Sequence, residues 1–143
     1  MRCCRWPRQR MDWADESKMS EHSDNRELTP TERHLVDWML KNGLPEARVF
    51  LPQLDFARVT SWHCPCGCAC INFSIEGQAA PTGGLRILSD FLWGSDDDLN
   101  GIFLFQKDGI LSGIEVYGLS GDAPQTLPVP EEMRPFSTGY SSP

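Results

Sequence analysis

The sequence predicts an α+β domain in which an N-terminal helix over about residues 30–42 and short helical turns pack on a four- to five-stranded, mostly antiparallel sheet. Three observations support this fold class. Residues 30–42 place apolar side chains at helical spacing, later segments alternate apolar and polar residues, and the pair Asp108-Gly109 separates two of those segments. A length of 143 residues allows one domain with a buried core.

The charge of the chain limits its partners. The formal net charge is −7 at pH 7, and the pI is about 4.8. Nucleic acid and anionic lipid both require a basic surface, so we expect neither as a partner. No apolar run approaches the roughly 18 residues of a membrane span, and no secretory signal is visible at the basic start. These features predict a cytoplasmic protein.

The two ends differ from the middle of the chain. Residues 1–18 show no periodicity, and Met11 or Met19 could each be the true initiator. We interpret residues 1–28 as a disordered or mis-assigned extension, with Met19 as the preferred start and a basic arm or a cysteine-mediated anchor as the alternative. We expect the domain at residues 29–130 and an extended or disordered tail at residues 131–143, where proline is frequent and pattern is weak.

The helix over about residues 30–42 has clear end signals. Thr29 is a suitable N-cap, Pro30 fits the first helical position, and Glu32 completes a capping box. The pair Asn42-Gly43 supplies the stop. One apolar stripe is expected to face the core, formed by Leu35, Val36, Met39 and Leu40.

Shorter segments follow the helix. Pro45 opens a second helical segment, which Pro52 divides into two turns. Strands are expected from near Phe56 through "ARVTSW", in "CINFSIEG" and in "LRILSDFLW". The passages "QAAPTGG" and "GSDDDLN" are expected to be loops, the second of them acidic and solvated.

The pair Asp108-Gly109 predicts a β-hairpin, because a two-residue type I′ turn needs positive φ at both central positions. The resulting register pairs Lys107 with Ile110, Phe105 with Ser112 and Phe103 with Ile114.

This register sorts the hairpin side chains into two faces. The predicted core layer consists of Phe103, Phe105, Ile110, Ile114 and Val116. The other face is too apolar to lie fully in water, so part of it must be covered. That second face consists of Ile102, Leu104, Leu111, Glu115 and Tyr117.

The passage "SWHCPCGCACINF" is the most chemically specific part of the chain. Four cysteines fall at every second position after His63, namely Cys64, Cys66, Cys68 and Cys70. Zinc prefers thiolates, at bonds of about 2.3 Å. On a straight strand, however, neighbours on one face lie about 6.6 Å apart, which is too far for three of them to share an ion. A zinc site therefore requires that Pro65 and Gly67 bend the chain, so that Cys64, Cys66 and Cys68 can converge with His63 or a distant carboxylate.

Two other interpretations of the cysteines stay open. In one, a Cys-x-Cys pair performs redox or nucleophilic chemistry beside His63, although no catalytic partner is evident. In the other, the cysteines are small hydrophobic residues that line one face of a strand, since cysteine is often buried. We prefer packing, with the zinc site as the principal alternative and zinc as the one cofactor to consider.

Two passages, "FLPQLDFARVTSWHCPCGCACINF" and "GIFLFQKDGILSGIEVYGLSGDAPQTLP", resemble a family of small bacterial proteins of unknown function. The family features are a leucine–glutamine helical turn, a Cys-Gly-Cys strand and a late Asp-Gly hairpin ending in "SGIEVY". The resemblance covers about residues 44–130. It implies one compact domain and Met19 as the start, and it implies no catalytic residue.

The sequence contains no recognisable catalytic motif, so we do not expect an enzyme. The predicted function is non-enzymatic protein binding, with a basic protein as partner because complementary charge guides association. One concrete form of this hypothesis is an immunity-type protein that masks the basic active site of a toxin. A pull-down that returned no basic partner would count against it. The alternative function is zinc binding by the loop of Cys64, Cys66 and Cys68.

Overall fold

The computed structural model describes residues 25–136 of the chain, and in them the α+β class is confirmed. The helices are α1 (Pro30–Asn42) and α2 (Leu51–Leu54), and 3-10 turns occupy Pro45–Phe50, Asp96–Asp98 and Pro130–Glu132. The strands are β1 (Arg26–Glu27), β2 (Ala57–Val59), β3 (Ile71–Ile75), β4 (Leu85–Trp93), β5 (Asn100–Lys107), β6 (Ile110–Gly118) and β7 (Arg134–Pro135). The described part therefore contains more sheet than helix.

The strands form one seven-stranded antiparallel sheet with the order β1-β2-β3-β6-β5-β4-β7. The prediction of four to five strands was wrong because β1 and β7, at the two edges, have two residues each. Segments this short show no periodicity, so the sequence pattern could not reveal them. Residues 1–24 and 137–143, which include most of the predicted extension and part of the predicted tail, lie outside the described residues.

Helix α1 has the predicted ends and the predicted buried stripe. The Thr29 hydroxyl accepts a hydrogen bond from the Glu32 backbone N–H at 3.1 Å, and the Glu32 carboxylate accepts one from the Thr29 N–H at 2.9 Å. Gly43 follows the last residue of the helix, and its lack of a side chain allows close packing, because a Cβ atom there would lie 2.5 Å from the Leu88 carbonyl oxygen. The helix end therefore lies directly against β4. The predicted stripe is buried in full: Leu35, Val36, Met39 and Leu40.

The two helical turns after α1 were predicted correctly, with Pro52 at the start of α2. Gln53 connects α2 to the hairpin of β5 and β6. Its side-chain N–H donates to the Gly109 carbonyl at 2.9 Å, and its side-chain oxygen accepts from the Leu111 N–H at 2.8 Å. These two bonds fix the helical layer to the turn end of the sheet.

The turn of the hairpin is as predicted, with φ of 54° at Asp108 and 81° at Gly109. Lys107 pairs with Ile110 as expected, but the register then shifts between Phe105 and Gln106. Ser112 is the extra residue of this bulge. The predicted pairings farther from the turn were wrong, since Phe105 lies opposite Gly113 and Phe103 lies opposite Glu115.

The bulge changes which face of the hairpin enters the core. Because one extra residue reverses the alternation, Leu104 and Ile114 become partners on the helix-facing side. Phe103 and Phe105, predicted as core residues beside Ile114, pack instead on the opposite face with their ring centroids 5.9 Å apart. The core side of β5 and β6 consists of Ile102, Leu104, Leu111, Ile114 and Val116.

In the part of the chain that the structure describes, no helix combines the length and the apolar character needed to cross a membrane.

Candidate metal centre

The cysteine segment is a loop between β2 and β3. Its local sequence explains this, because Pro65 has no backbone N–H to give to a neighbouring strand. The Gly67 N–H donates to the Cys64 carbonyl at 2.9 Å, which closes a turn with Pro65 at its second position. Gly67 has φ of 82°, a conformation that side chains with a Cβ rarely adopt. Proline and glycine together bend the chain at Cys66.

The two ends of the loop are anchored by backbone hydrogen bonds. At the start, the Thr60 N–H donates to the Asn72 carbonyl at 2.9 Å. Near the end, the Ala69 N–H donates to the carbonyl of Pro124 at 3.0 Å. Pro124 belongs to the segment after β6, so the loop is fixed to a distant part of the chain. The turn at residues 65–67 is exposed.

The preferred interpretation of the cysteines is correct only in part. They do not line one face of a strand, because the turn interrupts any strand before Ile71. Cys64 and Cys70 are buried in the core cluster, whereas Cys66 is exposed and Cys68 is half-buried. The first and last cysteines of the run are therefore buried, as expected, and the two between them are not.

Cys70 has a structural role in the sheet. Its sulfur accepts a hydrogen bond from the Val116 N–H at 3.2 Å, and its thiol donates to the Val116 carbonyl at 3.5 Å. The side chain thus contacts the backbone of β6 just beyond the residues that β3 pairs. Cys70 is accordingly not part of the group that the other three sulfurs form.

The remaining three cysteines converge. The sulfur atoms of Cys64, Cys66 and Cys68 all lie within 4.8 Å of one another, and those of Cys64 and Cys66 are 3.6 Å apart. Two ligands of a tetrahedral zinc ion with bonds of about 2.3 Å are separated by about 3.8 Å. The sulfur positions therefore approach those of a tetrahedral thiolate site. Among the described residues, the metal-ligand group contains these three cysteines and not His63, which is exposed.

The oxidation state of Cys66 decides whether the cluster can hold an ion. The Cys66 sulfur is disulfide-bonded in this structure. Its bond is not to Cys64, because 3.6 Å exceeds a disulfide length of about 2.05 Å. Metal coordination requires a thiolate, so Cys66 can serve as a ligand only when its disulfide is reduced.

Comparison with protein families, with curated proteins and with solved structures returned no match to this chain. The resemblance to small bacterial proteins stays a prediction, and the three-sulfur cluster is interpreted from its own geometry.

The sequence pattern did not reveal one further polar pair. The Tyr117 hydroxyl donates to Asp90 Oδ1 at 3.0 Å, on the sheet face that also holds Phe103. Burial raises the pKa of Asp90 to about 6, and the hydrogen bond from Tyr117 opposes that rise. An aspartate inside the apolar run "LRILSDFLW" was the available signal.

Proposed function

We propose that the protein binds a zinc ion through the thiolates of Cys64, Cys66 and Cys68. The convergence of these three sulfur atoms within 4.8 Å carries the proposal. It replaces the preference for packing, in which the cysteines would line one face of a strand.

The chemistry of the ligand set supports zinc. Thiolate sulfur is a soft donor, whereas calcium and magnesium take oxygen ligands. Zinc has no geometric preference from its d electrons, so a short loop can supply several of its ligands without meeting a strict coordination geometry. Binding also compensates the repulsion between three thiolates held close together.

The loop could adapt to an ion at low cost. The widest sulfur separation, up to 4.8 Å, must shorten by about 1 Å to reach a tetrahedral edge. Cys66 and its neighbours Pro65 and Gly67 are exposed, so this movement does not disturb the core. Cys64, by contrast, is buried and provides a fixed ligand position.

The test is zinc stoichiometry and affinity on the full chain, reduced with a phosphine that does not itself chelate zinc. We expect about one zinc per chain by mass spectrometry. Cys66→Ser should weaken binding by more than about 100-fold, because even the partners of metal ligands contribute about 10- to 100-fold. Affinity should fall as the pH is lowered, since protons compete with zinc for the thiolates.

Cys70→Ser is the matched control. It also replaces a cysteine of the same run, but its sulfur accepts a hydrogen bond from Val116 and lies outside the three-sulfur group. It should keep wild-type zinc affinity, with circular dichroism verifying that the variant is folded. Reduced wild-type protein that binds no zinc, or a Cys66→Ser variant that binds it as wild type does, would overturn the proposal.

A further inference from the structure

The four cysteines of the loop differ in oxidation state and in exposure. Cys66 is disulfide-bonded. The other three carry reduced thiols, so none of them is its partner: Cys64, Cys68 and Cys70. Cys66 lies in the exposed turn at residues 65–67, whereas only 6% of Cys64 is accessible to solvent. A disulfide on another molecule can therefore reach Cys66, while the protein shields Cys64 from it.

The Cys64 thiol contacts the oxidised sulfur directly. Its Sγ lies 3.6 Å from the Cys66 Sγ, and the hydrogen in this contact can come only from Cys64, because a disulfide sulfur has none. Thiol–disulfide exchange begins when a thiolate attacks one sulfur of a disulfide. Reacting atoms about 3–3.5 Å apart are already close to the geometry of attack. A small movement of the exposed turn is therefore enough to bring the two sulfurs together.

We propose that the loop performs thiol–disulfide exchange, in which Cys66 takes up a disulfide and Cys64 resolves it. The Cys64 thiol loses its proton to solvent, and the resulting thiolate attacks the Cys66 Sγ. A Cys64–Cys66 disulfide forms, the bond from Cys66 to its former partner breaks, and that partner leaves as a thiolate. One disulfide replaces another, so the step needs no separate oxidant or reductant. The substrate class is a disulfide that can reach an exposed thiol, such as glutathione disulfide.

The choice of Cys64 as the resolving thiol rests on its position. Cys68 is the other candidate, since the sulfurs of the cluster all lie within 4.8 Å of one another. Cys64 has the 3.6 Å contact with Cys66, and its burial holds it in place. Cys70 is excluded, because its sulfur bonds with the backbone of β6 and lies outside the cluster.

The exchange and the proposed zinc site use the same sulfurs in different oxidation states. A Cys64–Cys66 disulfide removes two of the three thiolates, so the oxidised loop cannot hold the ion, and reduction restores the full set. The exchange itself involves no metal. It is therefore tested on metal-free protein, and its failure would leave the zinc proposal in place.

The test follows glutathione disulfide as it reacts with the reduced, metal-free full chain. Iodoacetamide blocks the remaining thiols at intervals, and peptide mass mapping then identifies the partner of Cys66. We expect glutathione to appear briefly on Cys66 and a Cys64–Cys66 disulfide to replace it. In Cys64→Ser the glutathione should stay, at an occupancy at least about 10-fold above that of wild type, because the intramolecular attack is lost.

Cys68→Ser is the matched control, since it removes another thiol of the cluster and should resolve the mixed disulfide as wild type does. Circular dichroism verifies that each variant is folded, and mapping of wild type alone tests the pairing if Cys64→Ser does not fold. Glutathione that persists on Cys66 of wild type would overturn the inference. The same holds for a Cys66 that becomes joined to any cysteine other than Cys64, or for a Cys64→Ser variant that loses glutathione as fast as wild type.

Discussion

The β5–β6 hairpin and the cysteine loop use the same backbone device with different results. Each turns at an exposed glycine in the left-handed region, Gly109 with φ of 81° and Gly67 with φ of 82°. The hairpin turn joins strands whose side chains are buried on the helix-facing side. The loop turn lies outside the paired residues of β2 and β3, and Cys66 at this turn is exposed. Alternating sequence patterns thus correspond to paired strands in the hairpin and to a cluster of cysteine side chains in the loop.

The difference lies in what surrounds the glycine. The hairpin strands are rich in large apolar residues that lose water-exposed area when they pair, and they contain no proline, so every residue has a backbone N–H. The loop has small side chains and a proline that cannot donate. Alternating residue types therefore predict a strand where burial of apolar side chains stabilises strand pairing. The prediction fails where a proline removes a backbone N–H donor.

The largest expected effect is a difference in the free energy of unfolding between a hairpin variant and a cysteine-loop variant. Leu104 is fully buried and Leu104→Ala should lower the free energy of unfolding by about 2–5 kcal/mol, through lost burial and the cavity left behind. Cys66→Ala, in reduced and metal-free protein, should change it by less than about 0.5 kcal/mol. Urea unfolding of both variants measures this.

A Cys66→Ala variant as unstable as Leu104→Ala would mean that the loop is part of the folding unit. Adding zinc sharpens the contrast. Wild-type protein and Leu104→Ala should both gain stability from the ion by mass action, and Cys66→Ala should not.

The next prediction concerns the second face of the hairpin, where Tyr117 contacts Asp90. The pKa of Asp90 is raised from 3.8 to about 6, so between these values the folded state holds a proton that the unfolded state has lost. The contribution of Asp90 to stability is therefore present at low pH and falls as the pH rises through this window. Asp90→Asn should remove that dependence while keeping the oxygen that accepts from Tyr117.

Unfolding free energies measured across pH 4 to 7 test this directly. Relative to wild type, Asp90→Asn should gain stability as the pH rises. Asp97→Asn, at an exposed position of the acidic turn, controls for the loss of one negative charge. Equal pH profiles for wild type and Asp90→Asn would show that Asp90 titrates normally.

Most of the local structure could be predicted from the sequence, because the signals were themselves local. The capping box of Thr29 and Glu32 and the turn at Asp108-Gly109 each lie within a few residues. The bulge at Ser112 could not be predicted this way. It depends on contacts between strands, since a Cβ at Gly113 would lie 2.6 Å from the Ile71 carbonyl oxygen. One missed bulge was enough to place Phe103 and Phe105 on the wrong face.

The candidate site shows the same limit. Its three candidate ligands, Cys64, Cys66 and Cys68, were named from spacing, together with the bend that they require. Whether the bend forms depends partly on the contact of Ala69 with Pro124, which lies 55 positions farther along the chain and carries no visible signal. The exclusion of His63 from the cluster likewise depends on the path of the folded loop.

The smallest expected effect comes from the most closely matched pair of variants, Gly109→Ala and Gly67→Ala. A Cβ atom would meet nothing within 4 Å at either position, so steric clash does not distinguish them. Both substitutions place a residue with a Cβ atom in the left-handed backbone conformation, which costs about 1–2 kcal/mol. In the hairpin this cost cannot relax, because Gln53 and the ladder hold the turn, and we expect the free energy of unfolding to fall by about 1 kcal/mol.

In the cysteine loop the same strain can be released locally, since Pro65, Cys66 and Gly67 are exposed and the turn is closed by one backbone hydrogen bond. Gly67→Ala should therefore leave urea unfolding nearly unchanged and instead weaken zinc binding, because the relaxed loop moves the Cys66 sulfur away from that of Cys64. Equal losses of stability in the two variants would show that the loop is held as firmly as the hairpin. An unchanged zinc affinity in Gly67→Ala would show that the sulfurs converge without help from the turn, so that the ion and not the chain assembles the site.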